Sequence, residues 1–358
     1  MLKILHIAPM NYAGVPYSFY DMHLKQGDKS RIVTLHKNPN TFLEDICLNI
    51  PLPRFRLAGV WRRKKVIDRE LNIPKEAPVF KPENIFERLY FDISDRMRKR
   101  LVEETIEKYN LNDYDIIHFD AGLDFFRNSS QAKKWKSQGK KIVCCYYGSD
   151  LRLRGVIKEL DGISNLNITS EYDHLALKKD LAYTFYPYDT SELPERVINE
   201  NDTVKIVHSP TNRKYKGTEL IISVIEKLKK EKKIEFILIE NRPRREVLEI
   251  KSGCDISIDQ VGGTMGGTGY GKAGIETISM GIPTITNMTG DYKAWLKENP
   301  FVAANNAEEL YKSLNELIDS KSLREETGKG GKQWVSKYHG YENVDKHLKG
   351  LYRKHGII

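Results

Sequence analysis

Thr264 to Pro283 reads TMGGTGYGKAGIETISMGIP, and this stretch decides the fold. Glycines at 266, 267, 269 and 271 let the backbone approach a ligand closely and turn its amides inward. The spacing that follows predicts a helix from Lys272 to Met280, opening on free N–H groups and partial positive charge. A diphosphate suits that environment. Glu276 falls about one turn into the helix, within reach of a neighbouring sugar hydroxyl. A mobile loop and a carboxylate that merely complements the helix dipole would produce the same local sequence.

Outward from this stretch, strand and helix patterns alternate at short spacing. Strands are predicted at Val204 to His208, Glu235 to Ile239, Ile256 to Asp259 and Pro283 to Thr286, with helices at Gly217 to Lys230 and Arg244 to Lys251 between them. Leu220, Ile221, Val224, Ile225 and Leu228 mark the buried face of the first helix. Such alternation implies a parallel sheet covered on both faces. The N-terminal half repeats it less cleanly, with strands at Leu2 to Ala8, Ser30 to Leu35, Asp115 to Phe119, Lys141 to Tyr147 and Asn167 to Thr169. Helices are expected at Tyr17 to Lys25 and Asn84 to Tyr109. Pro51 to Pro82 is a loop-rich excursion. The length of 358 residues suits two domains. They are read as 1–183 and 203–340, with a polar linker at 184–202 and a last helix within 341–358 that is free to pack back on the first domain.

The composition is that of an ordinary globular chain, and an excess of 58 Lys and Arg over 49 Asp and Glu favours anionic partners. Cys47, Cys144, Cys145 and Cys254 form neither a CxxC pair nor a zinc spacing, so inert core thiols are expected. The opening MLKILHIAP is too short for a signal peptide, and no stretch approaches the ~20 apolar residues of a membrane span. A cytoplasmic protein is expected.

In open parallel sheets, ligands bind just beyond the carboxyl ends of the strands, and three clusters fall there. Besides the glycine loop, HSPTNRKYKG at His208 to Gly217 offers Ser209, Thr211, Arg213 and Lys216. Two cations suit a departing diphosphate, although a lone basic turn is usually just solvated. The third cluster lies in the N-terminal half. NYAGVP at Asn11 to Pro16 offers Gly14, and YYGSDLR at Tyr146 to Arg152 offers Asp150, able to meet sugar hydroxyls or to cap a turn.

Together these residues resemble retaining glycosyltransferases of family 4, whose hallmark segment is E-G-F-G-x-x-x-x-E-A-M-A-x-G-x-P-V-I. The match here runs from Thr268 through Gly269, Tyr270, Gly271, Lys272, Ala273, Gly274 and Glu276 to Gly281 and Pro283. Lys216-Gly217, HSPTNR and IDQ at 258–260 are similar to a branch of the same group, as is YYGSDLR, where the branch usually has histidine at Tyr147. The resemblance implies an α/β protein of the GT-B fold, two Rossmann-like doubly wound domains facing across a cleft. It further implies that Glu276 grips the ribose of a UDP- or GDP-sugar and that Arg213 and Lys216 take the diphosphate. Amides around Lys272 to Gly274 would add to the phosphate site, and Gly14 would approach it from the other domain. The first glutamate of the pair is Thr268 here, which puts donor-sugar specificity in doubt.

The expected activity is sugar transfer, with retention, to a hydroxyl of a glycan, lipid-linked or small-molecule acceptor. No metal, cofactor or nucleic acid is implied. Asp113-Tyr114-Asp115 imitates a DxD metal motif but precedes a strand. His118 and His208 read as half-buried structural histidines. Arg54, Arg56 and WRRKK at 61–65 form a basic aromatic run, either solvated or in contact with an anionic membrane at its cytoplasmic face. Rival readings are a nucleotide-sugar 2-epimerase and a non-catalytic nucleotide-sugar binder.

Overall fold

Apolar strands that run consecutively in one direction need helices on both faces, and the chain builds two such sheets. The computed structural model describes residues 1–38, 42–52, 75–82, 84–191, 193–262 and 269–358. The basic run at 54–65 and Thr268 therefore lie outside the described residues. The chain divides into two units, Met1–Pro187 with Tyr341–Ile358, and Tyr188–Gly340.

The first unit has seven parallel strands: β1 (Lys3–Ala8), β2 (Lys29–Thr34), β3 (Ile46–Cys47), β4 (Ile116–Asp120), β5 (Lys141–Tyr146), β6 (Leu166–Thr169) and β7 (Leu181–Tyr183). Their order is β3-β2-β1-β4-β5-β6-β7, so the winding reverses between β1 and β4. The long helix Ile85–Lys108 begins where Asn84 accepts a hydrogen bond from the Glu87 amide at 2.8 Å. The last helix, Tyr341–Lys354, belongs to this unit: Val344, Leu348 and Tyr352 are buried, and the Tyr341 hydroxyl donates to Asp21 at 2.9 Å.

His6, His23 and His118 cluster beneath that helix with none of their surface exposed, His6 stacked on His23 and His118 edge-on to His23. His118 Nε2 meets the Tyr352 hydroxyl at 2.5 Å, and His6 pairs with Asp120 at 3.3 Å. Among the described residues, His23, Asp28 and Asp345 alone have metal-ligand spacing. The Lys349 ammonium already stands between the two carboxylates, at 2.7 and 2.9 Å.

The second unit has five parallel strands: β8 (Val204–His208), β9 (Ile234–Leu238), β10 (Ile256–Gln260), β11 (Thr284–Thr286) and β12 (Val302–Ala303). Their order is β12-β11-β10-β8-β9, reversing between β8 and β10. Alternation along β8 sends Val204 and Ile206 to the core under helices Thr218–Leu228 and Ala307–Asp319, and Val207 to the opposite face with Cys254. The helix predicted from Gly217 runs over Thr218–Leu228, and Gly217, with a left-handed φ of 65°, separates it from a short helix at Arg213–Lys216 that the sequence pattern does not predict. Helix Lys321–Tyr338 lies against the helix at Lys272–Ser279 closely enough that a Cβ on Gly331 would stand 2.0 Å from Ile278. Residues 188–191 and 193–202 belong to this unit, with Val197 N donating to Ser252 O at 2.9 Å. No helix among the described residues is long and apolar enough to cross a membrane.

His208 meets Ile258 O at 2.8 Å and the Thr218 hydroxyl at 2.9 Å, a satisfied core histidine. Burial lowers it to about 4, against a free value near 6.5. Burial also takes His23 to about 4, with the Asp345 carboxylate opposing. An unfolded chain binds protons at these rings below about pH 6.5 that the folded chain refuses until about pH 4. Stability is therefore expected to fall through that window, by up to ~3 kcal/mol per ring. Thermal midpoints recorded from pH 7 to pH 4.5 should drop steadily, and a flat profile would contradict the burial of the two imidazoles as neutral groups.

Candidate nucleotide site in the second unit

The switch point between β8 and β10 gathers most of the charged groups expected from the sequence. Lys216, at the end of the short helix after β8, reaches Asp259 Oδ1 at 2.6 Å and Gln260 Oε1 at 3.0 Å, both at the carboxyl end of β10. Asp259 is fully buried on its side chain and accepts the Gly271 amide at 2.7 Å. Burial pushes its carboxyl up, but the Lys216 charge and hydrogen bond outweigh that and hold it below the ordinary range. Gln260 donates from Nε2 to Gly269 O at 2.5 Å, tying the glycine loop to the strand.

The glycines act here partly through protein contacts. A Cβ on Gly269 would stand 2.1 Å from the Tyr292 ring, on Gly271 3.1 Å from Lys216 Nζ, and on Gly274 3.2 Å from Asp259 Oδ2. Tyr270 stacks on Phe301 at 4.5 Å and meets His339 Nε2 through its hydroxyl at 3.1 Å, so its ring braces the loop. The helix Lys272–Ser279 then starts from Gly271 with no capping side chain and no acidic residue in its first turn. Ala273 follows Lys272 in that turn, beside the amides expected to meet phosphate.

Glu276 is buried one turn further on. Its Oε2 accepts from Lys251 Nζ at 2.9 Å, and its Oε1 from Arg244 Nε at 3.3 Å. Burial raises its carboxyl, while Lys251, Arg244 and Lys272 together bring it below the usual range. Lys272 is lowered to about 8 by burial and by the nearby Arg244 charge, with Glu276 opposing. Arg244 also meets the Tyr188 hydroxyl at 3.3 Å. Lys216, Lys251, Arg244 and Lys272 thus face two carboxylates, leaving two positive charges in excess around the helix start.

Other candidates are placed differently. Arg213 is exposed and pairs with Glu219 at 2.9 Å and Glu240 at 2.8 Å. Ser209 is half-buried and Thr211 exposed, both on the loop after β8. In the first unit, Gly14 has a left-handed φ of 74° and caps the helix Val15–Lys25. Asp150 accepts from the amides of Tyr147, Gly148 and Leu151 at 3.0, 2.8 and 2.9 Å, so its carboxylate shapes the turn after β5. Tyr147 donates its hydroxyl to Asp120 at 2.7 Å.

Solved structures with the same architecture are similar along almost the whole chain. Anabaena HepE in complex with UDP is 12% identical at a TM-score of 0.56, over 99% of this chain and 100% of that one. The catalytic domain of starch synthase IV from Arabidopsis thaliana, bound to ADP and acarbose, is 11% identical at 0.55, over 99% of each. The fold is GT-B. A variant of S. aureus TarM in complex with fondaparinux, alpha-GlcNAc-glycerol and UDP is 10% identical at 0.56, over 98% of this GT-B chain and 100% of its own. No protein-family model and no curated protein sequence matches the chain.

Arg244 and Lys251 escape the motif reading of this GT-B site, which also assigns no role to Asp259 or Gln260. Asp259 and Gln260 appear in the sequence only as part of IDQ. Arg244 and Lys251 sit two helical turns apart on one helix, and their spacing of seven suggests a shared face but not what lies against it.

Proposed function

We propose that the chain is a glycosyltransferase that binds a nucleoside-diphosphate sugar, with UDP or GDP as the nucleotide, in its second unit. The observation that carries this reading is the excess of two positive charges around the start of helix Lys272–Ser279, at the switch point of a parallel sheet. A diphosphate supplies the matching negative charge, and its charge grows as the sugar departs, where fixed cations act most strongly. Glu276 would take the ribose hydroxyls and Lys216 the phosphates. The nucleotides bound to HepE, TarM and starch synthase IV support the same ligand class. The acceptor is a hydroxyl of a glycan, lipid-linked or small molecule, and transfer proceeds with retention. Thermal shift against UDP, GDP, ADP and their sugars tests the reading, since ligands of the native state raise its apparent stability. No shift with any of them at millimolar concentration would sink it.

Because protein cations balance the diphosphate in this reading, divalent metal is dispensable. UDP binding and UDP release from UDP-glucose are expected to survive EDTA. Complete loss restored by magnesium or manganese would show that the four cations are not sufficient counter-charge.

A further inference from the structure

Lys251 is 1% exposed, and the hydrogen bond from its ammonium goes to Glu276 at 2.9 Å. It lies near the end of helix Arg244–Ser252, outside every motif of the sequence. A buried lysine that served only the fold could meet any acceptor, since burial of a charge requires a partner but does not select one. Here the partner is the one carboxylate that the nucleotide reading assigns to the ribose. The same helix contributes both of its cations: Arg244 opens the helix and Lys251 stands seven residues on, two turns or roughly 10 Å along the axis. They bracket Glu276, one on each oxygen.

The two cations differ in exposure. The Arg244 side chain is 39% exposed and the Lys251 side chain 2%. Arg244 is therefore the one a ligand or water can draw away, and Lys251 the fixed anchor. Lys251 also acts electrostatically on Asp259, so both carboxylates of the site feel it.

We propose that Lys251 is a positioning residue for the donor nucleotide: its ammonium pins Oε2 of Glu276 and leaves Oε1 to exchange Arg244 for the ribose hydroxyls. The role rests on the nucleotide reading of the site. In its absence the buried Glu276 carboxyl loses its nearest counter-charge and takes up a proton at higher pH, turning a strong acceptor into a weak one.

The test is titration calorimetry of UDP and GDP from pH 5 to pH 8 with the full chain and with Lys251→Met, Lys251→Arg, Glu276→Gln and Lys251→Met/Glu276→Gln. Wild-type affinity should vary little with Glu276 ionisation across this range. Lys251→Met should bind about tenfold more weakly at pH 7, the order expected for one charge-assisted contact, and progressively more weakly toward pH 5. Lys251→Arg keeps a cation and should restore the wild-type profile. The double variant replaces the ion pair by neutral groups of similar size, so it should fold even where Lys251→Met does not, and should bind as weakly as Glu276→Gln alone with no added pH dependence. A wild-type affinity and pH profile in Lys251→Met overturns the positioning role, as does a double variant that binds like wild type. Absence of UDP and GDP binding by the unaltered protein overturns the nucleotide reading itself, and the positioning role with it.

Discussion

Glu276→Gln is expected to lower stability and nucleotide affinity together. The carboxylate stands between Lys251 and Arg244, and its removal leaves the Lys251 ammonium buried without its partner. Breaking a buried pair from one side costs about 3–5 kcal/mol. The half-exposed Arg244 softens this little, because it can turn to water while Lys251 cannot. In the proposed nucleotide site the ribose contacts would lose their charge assistance in the same step, at roughly 1.5–3 kcal/mol for each charge-assisted hydrogen bond, or about ten- to a hundredfold in Kd. Urea unfolding and calorimetry with UDP separate the two losses. Adding Lys251→Met should recover most of the stability and none of the affinity. Unchanged UDP affinity in a folded Glu276→Gln protein would remove Glu276 from the site.

Lys216→Met should have the second largest effect. Lys216 is the nearest cation to Asp259, whose side chain is completely buried, and it shares that carboxylate with the Gly271 amide. Its loss strands a buried carboxylate at the place expected to receive phosphate, so like charges would then face each other. A fall of ~10- to 100-fold in kcat/KM for UDP release from UDP-glucose is expected from losing one charge-stabilising contact. Adding Asp259→Asn should restore the thermal midpoint while the rate stays low, because the counter-charge for the leaving group is still missing. Full recovery of rate in the double variant would mean that Lys216 serves only to neutralise Asp259.

The sequence carried the longer elements and their order, since strands of five or six residues such as β1 and β8 show clear apolar runs. It did not show β3, β7 or β12, which span two or three residues and leave no periodicity to read. The glycine loop and Glu276 were legible because backbone approach and helix starts impose residue types at fixed spacing. Asp259, Gln260, Arg244 and Lys251 were not, because they meet Lys216, Gly269 and Glu276 only once strands β8 and β10 lie side by side. Asp150 illustrates the converse. A carboxylate after a strand fits a sugar contact or a turn cap equally well in sequence, and three amides here claim it for the turn.

The helix Tyr341–Lys354 completes the first unit only after the chain has traversed the whole of the second. It seats Tyr352 against His118 and Lys349 between Asp28 and Asp345. Cutting the gene after codon 187 would accordingly yield a fragment with an open hydrophobic trench and stranded histidines and aspartates, prone to aggregate. A separately expressed first unit requires splicing residue 187 directly to residue 341, whereas residues 188–340 can be excised as one uninterrupted piece.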